Sequence, residues 1–353
     1  MSDAAVIEAI RHDAGLFLHQ LDLIQRRALF VRVGEGELRD ASFLDERLGV
    51  DGRGSFWSPL DPLLDAAPIP EAVQPAPAFI FHIGHCGSTL LSRLLDLSPG
   101  VLGLREPLAL RQLAAVELDR DSPVARIDPA RFPILLAWVL RTLGRKFQRD
   151  QQIVIKATSS CNNLIAPLLA AFPTLRVVLL HIPLESYLAT LLKAPGGGRD
   201  ALTFVAQRLH YLHRYLGDDS LCLYQLNHVE TLALGWVAEL VRFDEIARST
   251  DGSRALTLDF EIVLDALDAQ LGAVREYLGL RVPTSSSTLT KVPDVLRAYA
   301  KKPDHPYSPA DRAHDLDLSR RRFATEIALG MTWAEQLIAR YPQFESLEPF
   351  LRR

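Results

Sequence analysis

An α/β fold of three layers, with helices on both faces of a mostly parallel central sheet, is what this sequence predicts. From residue 78 onward, short continuous apolar runs alternate with longer amphipathic ones. Parallel strands need crossover connections, and strands that alternate with helices supply them. The chain of 353 residues is 48% hydrophobic, ample for a large core around such a sheet.

In chain order, VIEAIRHDAGLFLHQLDLI (residues 6–24) carries an apolar pattern of helical period, and RALFVRVG (27–34) alternates like one strand. FWSPLDPLLDAAPIPEAVQPAPA follows, with six prolines in 23 residues. Proline at that density removes backbone donors, which places a linker near Ala67 to Pro77. The expected division is an N-terminal accessory section, 1–77, and a main domain, 78–353. There AFIFHI reads as a buried strand, STLLSRLLDL as a helix, IVIKA as a strand and LIAPLLAAF as a helix. LRVVLLHI and LESYLATLLKA repeat the pair, and ALTLDFEIVLDALDAQLGAVREYLGL adds a strand and an amphipathic helix. Residues 200–249 look helical throughout, and the tail from Ser308 to Pro342 ends in a long helix.

A formal charge of −4 gives no global field to draw nucleic acid or an anionic membrane, so any anion site must be local. Cys86, Cys161 and Cys222 form no metal-ligand spacing, and so few cysteines fit a reducing compartment. No window is long and apolar enough to span a bilayer, and the N-terminus lacks a signal-type apolar stretch. The expectation is a cytoplasmic protein with no nucleic-acid or membrane partner; its oligomeric state is not written in the sequence.

The informative stretch is HIGHCGSTLLSRLL, residues 82–95. A strand, a glycine turn and a helix opened by Ser-Thr make an anion site, because the first helical amides lack intrahelical partners and glycine lets the backbone approach. A glycine turn with a Ser/Thr cap is the ordinary alternative. The ATP/GTP loop G-x-x-x-x-G-K-[ST] fits badly: His82 replaces its first glycine and Ser88 its lysine. A cysteine-phosphatase loop fits no better, since six residues separate Cys86 from Arg93 where five are needed.

The stretch resembles the 5'-phosphosulfate loop of the sulfotransferases that use 3'-phosphoadenosine 5'-phosphosulfate (PAPS), whose bacterial form is G-x-x-[RK]-S-G-[ST]-T-L-L. Anchored on Gly87-Ser88-Thr89-Leu90-Leu91, Cys86 stands at the serine and His85 at the basic position. Glu106 in LREPLALR, Lys156 in IVIKATSS, and FPTLRVVLLHIPLESYLATL follow in the family's order, so the resemblance spans about residues 78 to 282. It implies a P-loop domain and PAPS as co-substrate, with no metal. Gly84, His85, Cys86, Gly87, Ser88 and Thr89 would cradle the phosphosulfate, His85 carrying a proton beside the bridging oxygen. Glu106 would be the base that takes the acceptor's proton, and Lys156 a further catalytic cation. His181 stands where the family has the arginine that binds the 3'-phosphate, with Ser186 and Thr190 as nearby hydroxyls. An imidazole is mostly neutral at pH 7, so either other cations complete the site or nucleotide affinity is weak. VPDVLRAYAKKPDHPYSP offers Lys301 and Lys302 as replacements, in a segment that reads otherwise as a surface turn. His210 and His213, three apart on a helix, lack the carboxylate or cysteine that would complete a metal set.

The expected function is sulfuryl transfer from PAPS to a hydroxyl or amine of a small-molecule or glycan acceptor. The alternatives are a relative that binds nucleotide or anion without catalysis, and a P-loop kinase or nucleotide hydrolase.

Overall fold

The computed structural model describes residues 3–66, 76–193, 198–281 and 292–352. Most of the expected linker, residues 67–75, lies outside them. The N-terminal section comprises α1 (Asp3–His12), β1 (Leu16–Asp22), β2 (Arg27–Arg32), α2 (Glu35–Asp40), β3 (Ser55–Pro59) and α3 (Leu60–Asp65). Its three strands form an antiparallel sheet in the order β1-β2-β3. The helical reading of residues 6–24 is thus half wrong. Phe17, Leu21 and Ile24 fit a helical period, but pairing with β2 decides for the strand. Strand β3 hides at the head of the proline-rich stretch, where Pro59 ends it at a sheet edge.

The main sheet is assembled from β4 (Ala78–His82), α4 (Ser88–Asp96), β5 (Val101–Arg105), α5 (Leu108–Asp119), α6 (Phe132–Leu143), β6 (Gln152–Lys156), α7 (Ile165–Ala171), β7 (Val177–His181) and α8 (Leu184–Leu192). Then come α9 (Arg199–Thr203), α10 (Val205–Leu216), α11 (His228–Ser249), β8 (Ala255–Asp259), α12 (Phe260–Asp265) and α13 (Leu267–Tyr277). The five strands are all parallel, in the order β5-β6-β4-β7-β8. β5 and β7 are buried along their whole length, as strands covered on both faces must be. β5, α5 and α6 carry signals too brief or too uniformly apolar to stand out in the sequence. Residues 200–249 are not helical throughout: Gly217, left-handed at φ 65°, closes α10, and Asn227 with Glu230 forms the capping box that opens α11.

The chain ends with α14 (Val292–Leu296), a hairpin of β9 (Ala298–Tyr299) and β10 (Lys302–Pro306), α15 (Pro309–Arg322) and α16 (Ala324–Arg340). One continuous apolar core joins the N-terminal sheet to the main one, with α5 and α6 packed on β1. Buried polar contacts reinforce the join. Arg105 Nη1 pairs with Asp96 at 3.3 Å, Arg39 Nη1 reaches the same carboxylate at 2.7 Å, and the half-buried Arg145 donates to the Asp13 carbonyl at 2.8 Å.

Candidate active site

The chain runs outward from β4 in two directions, to β5 on one side and to β7 on the other. In such a sheet the crevice beyond the strands' carboxyl ends at that switch is where ligands bind. A cavity of about 740 Å³ lies there, lined by residues that follow all five strands.

Its floor is the loop between β4 and α4. Gly84 (φ 88°), His85 (φ 52°) and Gly87 (φ 87°) are left-handed, which turns the chain sharply enough to aim the head of α4 at the cavity. Gly87 tolerates no side chain: a Cβ would sit 2.1 Å from the ring of Phe260. No side chain caps α4 and no acid stands in its first turn. Its leading amides therefore have no capping side chain, and the buried Thr89 hydroxyl has no hydrogen-bond partner among the described residues.

His82, at the family's first glycine, has a structural task. Its Nδ1 accepts from the Gly84 amide at 2.9 Å and its Nε2 pairs with the Ala157 carbonyl at 2.8 Å, an arrangement that suits the neutral ring with its proton on Nε2. Burial, with Lys156 close by, holds its pKa well below the usual imidazole value. Cys86 is buried too; its thiol donates to the Leu180 carbonyl at 3.5 Å, and burial pushes its pKa up to about 12. It is the small residue of a tight turn and not a lining group.

Lys156 and Glu106 meet at the ends of neighbouring strands. Lys156 is 1% exposed and donates to Glu106 Oε1, while Arg47 stands 3.7 Å from Oε2. Burial lowers the Lys156 pKa and Glu106 opposes that shift. Glu106 adopts a left-handed φ of 55°, unusual for a residue with a Cβ, and its amide donates to the Lys156 carbonyl at 2.7 Å.

Three further groups of cavity residues escaped the sequence. Phe43, Asp45 and Arg47 come from the N-terminal section, tied to the β5–α5 junction by Leu44, whose amide donates to the Arg105 carbonyl at 2.7 Å and whose carbonyl accepts from Leu108 at 3.1 Å. No local pattern marks them, since only the fold of 1–66 onto α5 brings them over Glu106. Arg111 enters from α5, and Lys193 and Arg312 from α8 and α15. Phe260 walls the loop at the start of α12. The cavity thus collects six lysines and arginines with Asp45 and Glu106; of these, Arg111, Lys193 and Arg312 also pair with Glu46, Asp315 and Glu261 beside the lining.

Both lysines of the C-terminal pair are exposed; Lys301, at the turn of the β9–β10 hairpin, lines the cavity and Lys302 does not. Arg93 holds that hairpin in place: its Nε donates to the Ala300 carbonyl at 2.8 Å and its Nη2 to Ser42 Oγ at 2.9 Å. Gly84, His85, Gly87, Ser88, Thr89, Glu106, Lys156, Thr190 and Lys301 therefore share one cavity.

His181 and Ser186 do not join them. His181 is buried edge-on against Phe350 at 4.9 Å, its Nδ1 without a partner, and Ser186 Oγ accepts from Arg320 Nη2 at 2.8 Å. The last turn of the chain, Pro342–Phe350, covers the position the resemblance assigned to a phosphate. Burial pushes the His181 pKa down to about 4. The unfolded chain takes up this proton near pH 6.5, so the neutral ring's contribution is complete above that pH and declines as pH falls toward 4. The loss is on the order of 3 kcal/mol by that linkage, and the buried His82 adds to it in the same direction. The melting temperature should drop steadily from pH 6.5 to 4.5, and His181→Phe should flatten the drop. An equally steep profile in the variant would show that His181 does not cause it.

His213 Nε2 pairs with the Leu221 carbonyl at 2.8 Å, and His210 packs edge-on against it. Among the described residues no helix is long and apolar enough to cross a membrane, and no three metal-ligating side chains cluster.

No protein-family model matches the chain, and no curated protein matches it. Among solved structures it is similar to the sulfotransferase domain of the curacin biosynthetic pathway, at 13% identity over 74% of this chain and 97% of that one, with a TM-score of 0.40. A sulfotransferase from Mycobacterium tuberculosis matches at 17% identity over 75% of this chain and 79% of that one, TM-score 0.36. The sulfotransferase domain of the Synechococcus PCC 7002 olefin synthase matches at 16% identity over 70% of this chain and 94% of that one, TM-score 0.36.

Proposed function

We propose that this protein transfers a sulfuryl group from PAPS to a hydroxyl or amine. The observation that carries the reading is the uncapped head of α4, with its orphaned Thr89 hydroxyl, facing a cavity into which Lys156, Lys301 and Arg47 converge. These groups suit a phosphosulfate. Ser88 at the position of a triphosphatase's lysine weighs against a kinase or nucleotide hydrolase.

When bound, the nucleotide supplies the sulfuryl group: the acceptor atom bonds to sulfur, the sulfur–oxygen bond to the 5'-phosphate breaks, and its electron pair leaves on phosphate. The acceptor's proton passes to the Glu106 carboxylate. Lys156, held by Glu106 in a buried setting, places positive charge at the strand ends where charge builds up, and Lys301 adds a second cation beside the loop. Lys193 and Arg312, with the Thr190 hydroxyl, also line the cavity, and in this reading they take the 3'-phosphate in place of His181.

Adenosine 3',5'-bisphosphate should raise the melting temperature, at a hundredfold excess over Kd by the equivalent of about 2.7 kcal/mol. Lys301→Met should weaken it about tenfold, while His181→Phe leaves it within twofold. Stabilisation by magnesium-ATP and not by millimolar bisphosphate would replace this reading with a triphosphate enzyme.

A further inference from the structure

A second cavity, of about 340 Å³, adjoins the first and shares Arg111 and Phe204 with it. Its floor is one face of α5, from Leu108 through Ala115 to Leu118, so it extends about 15 Å from the helix end that Glu106 precedes. Gln20 on β1, Gln112 on α5 and Gln207 on α10 project amides around it. Gln112 Oε1 accepts from the Leu21 amide at 2.7 Å, which commits the oxygen and leaves the two Nε2 donors for another partner. The only charges among its described lining residues, Glu46 and Arg111, pair with each other.

We propose that this groove binds an elongated, neutral carbohydrate, and that the acceptor is a hydroxyl of that chain presented to Glu106. The inference rests on the transferase reading. Amides give the paired donors and acceptors that neighbouring hydroxyls need, and Phe204 offers a ring face to a sugar's C–H face. A polyanion finds no net charge here beyond the first cavity. A flat apolar acceptor would leave the Gln20 and Gln207 amides and the Gln112 Nε2 donors without water or partner.

The test is calorimetry with cellohexaose, maltohexaose and chitohexaose, each against its own disaccharide, in the presence and absence of adenosine 3',5'-bisphosphate. At least one hexasaccharide should bind ten times more tightly than its disaccharide. Ala115→Trp, at an exposed position on the groove floor, should cancel that gain, and Gln207→Ala should weaken the hexasaccharide about fivefold. Both variants should keep the wild-type affinity for the bisphosphate. Bisphosphate binding with no length dependence for any saccharide overturns the groove assignment and leaves the transferase reading standing. Length-dependent saccharide binding without bisphosphate binding supports the groove and removes the transferase reading.

Discussion

Glu106→Gln is expected to cut kcat by a factor of about 10² to 10⁴, the usual contribution of a general base, while the affinity for adenosine 3',5'-bisphosphate stays within about threefold. The carboxylate we propose as the proton acceptor also neutralises Lys156, a cation that is 1% exposed. Removing one partner of a buried pair leaves the other uncompensated, so the variant should also lose on the order of 3 kcal/mol of stability, with Arg47 remaining as the nearest charge. The two losses are separable. Glu106→Gln combined with Lys156→Met should recover most of the stability, because no buried charge is left alone, and none of the activity. Transfer of radiolabelled sulfate from PAPS, together with melting curves of the three variants, reads both effects. A kcat within threefold of wild type for a folded Glu106→Gln removes Glu106 from the mechanism.

Gly87→Ala should be the most damaging Gly→Ala change among the described residues. The added Cβ would stand 2.1, 2.3 and 2.4 Å from three atoms of the Phe260 ring, on a backbone at φ 87°. A left-handed alanine costs about 1 kcal/mol, and overpacking a rigid ring adds about 1–3 kcal/mol. Because Phe260 walls the anion loop, the ring's displacement should also weaken the bisphosphate at least tenfold. Gly52→Ala is the matched control. It shares the left-handed backbone, at φ 74°, but a Cβ there meets nothing within 4 Å, so only the backbone cost of about 1 kcal/mol should remain. Phe260→Ala in the Gly87→Ala background should return part of the binding. Equal stability losses at Gly87 and Gly52 would show that the ring contact does not matter.

The glycine loop was legible in the sequence because its chemistry is local. Gly84, Gly87, Ser88 and Thr89 hold their places through backbone angles and a helix start that follow from neighbouring residues. Glu106 and Lys156 were legible because one directly follows a buried strand and the other ends one, and parallel register sets Arg105 opposite Lys156. His181 misled for the opposite reason. Its place after β7 is as expected, but Phe350, far along the chain, packs against it and closes it off. Lys301 and Lys302 could not be told apart until the hairpin turn set the first at the rim of the cavity.

By itself the sequence determined the three-layer parallel sheet, the glycine turn at the head of α4 and the two strand-end charges beside it, all of them consequences of short-range pattern. Only the tertiary structure decided that Arg47 and Phe43 of the N-terminal section cover Glu106, that Arg93 clamps the hairpin carrying Lys301, and that His181 is sealed. Those placements join residues tens to hundreds of positions apart, and burial and long-range packing, which leave no periodic trace in a sequence, choose among them.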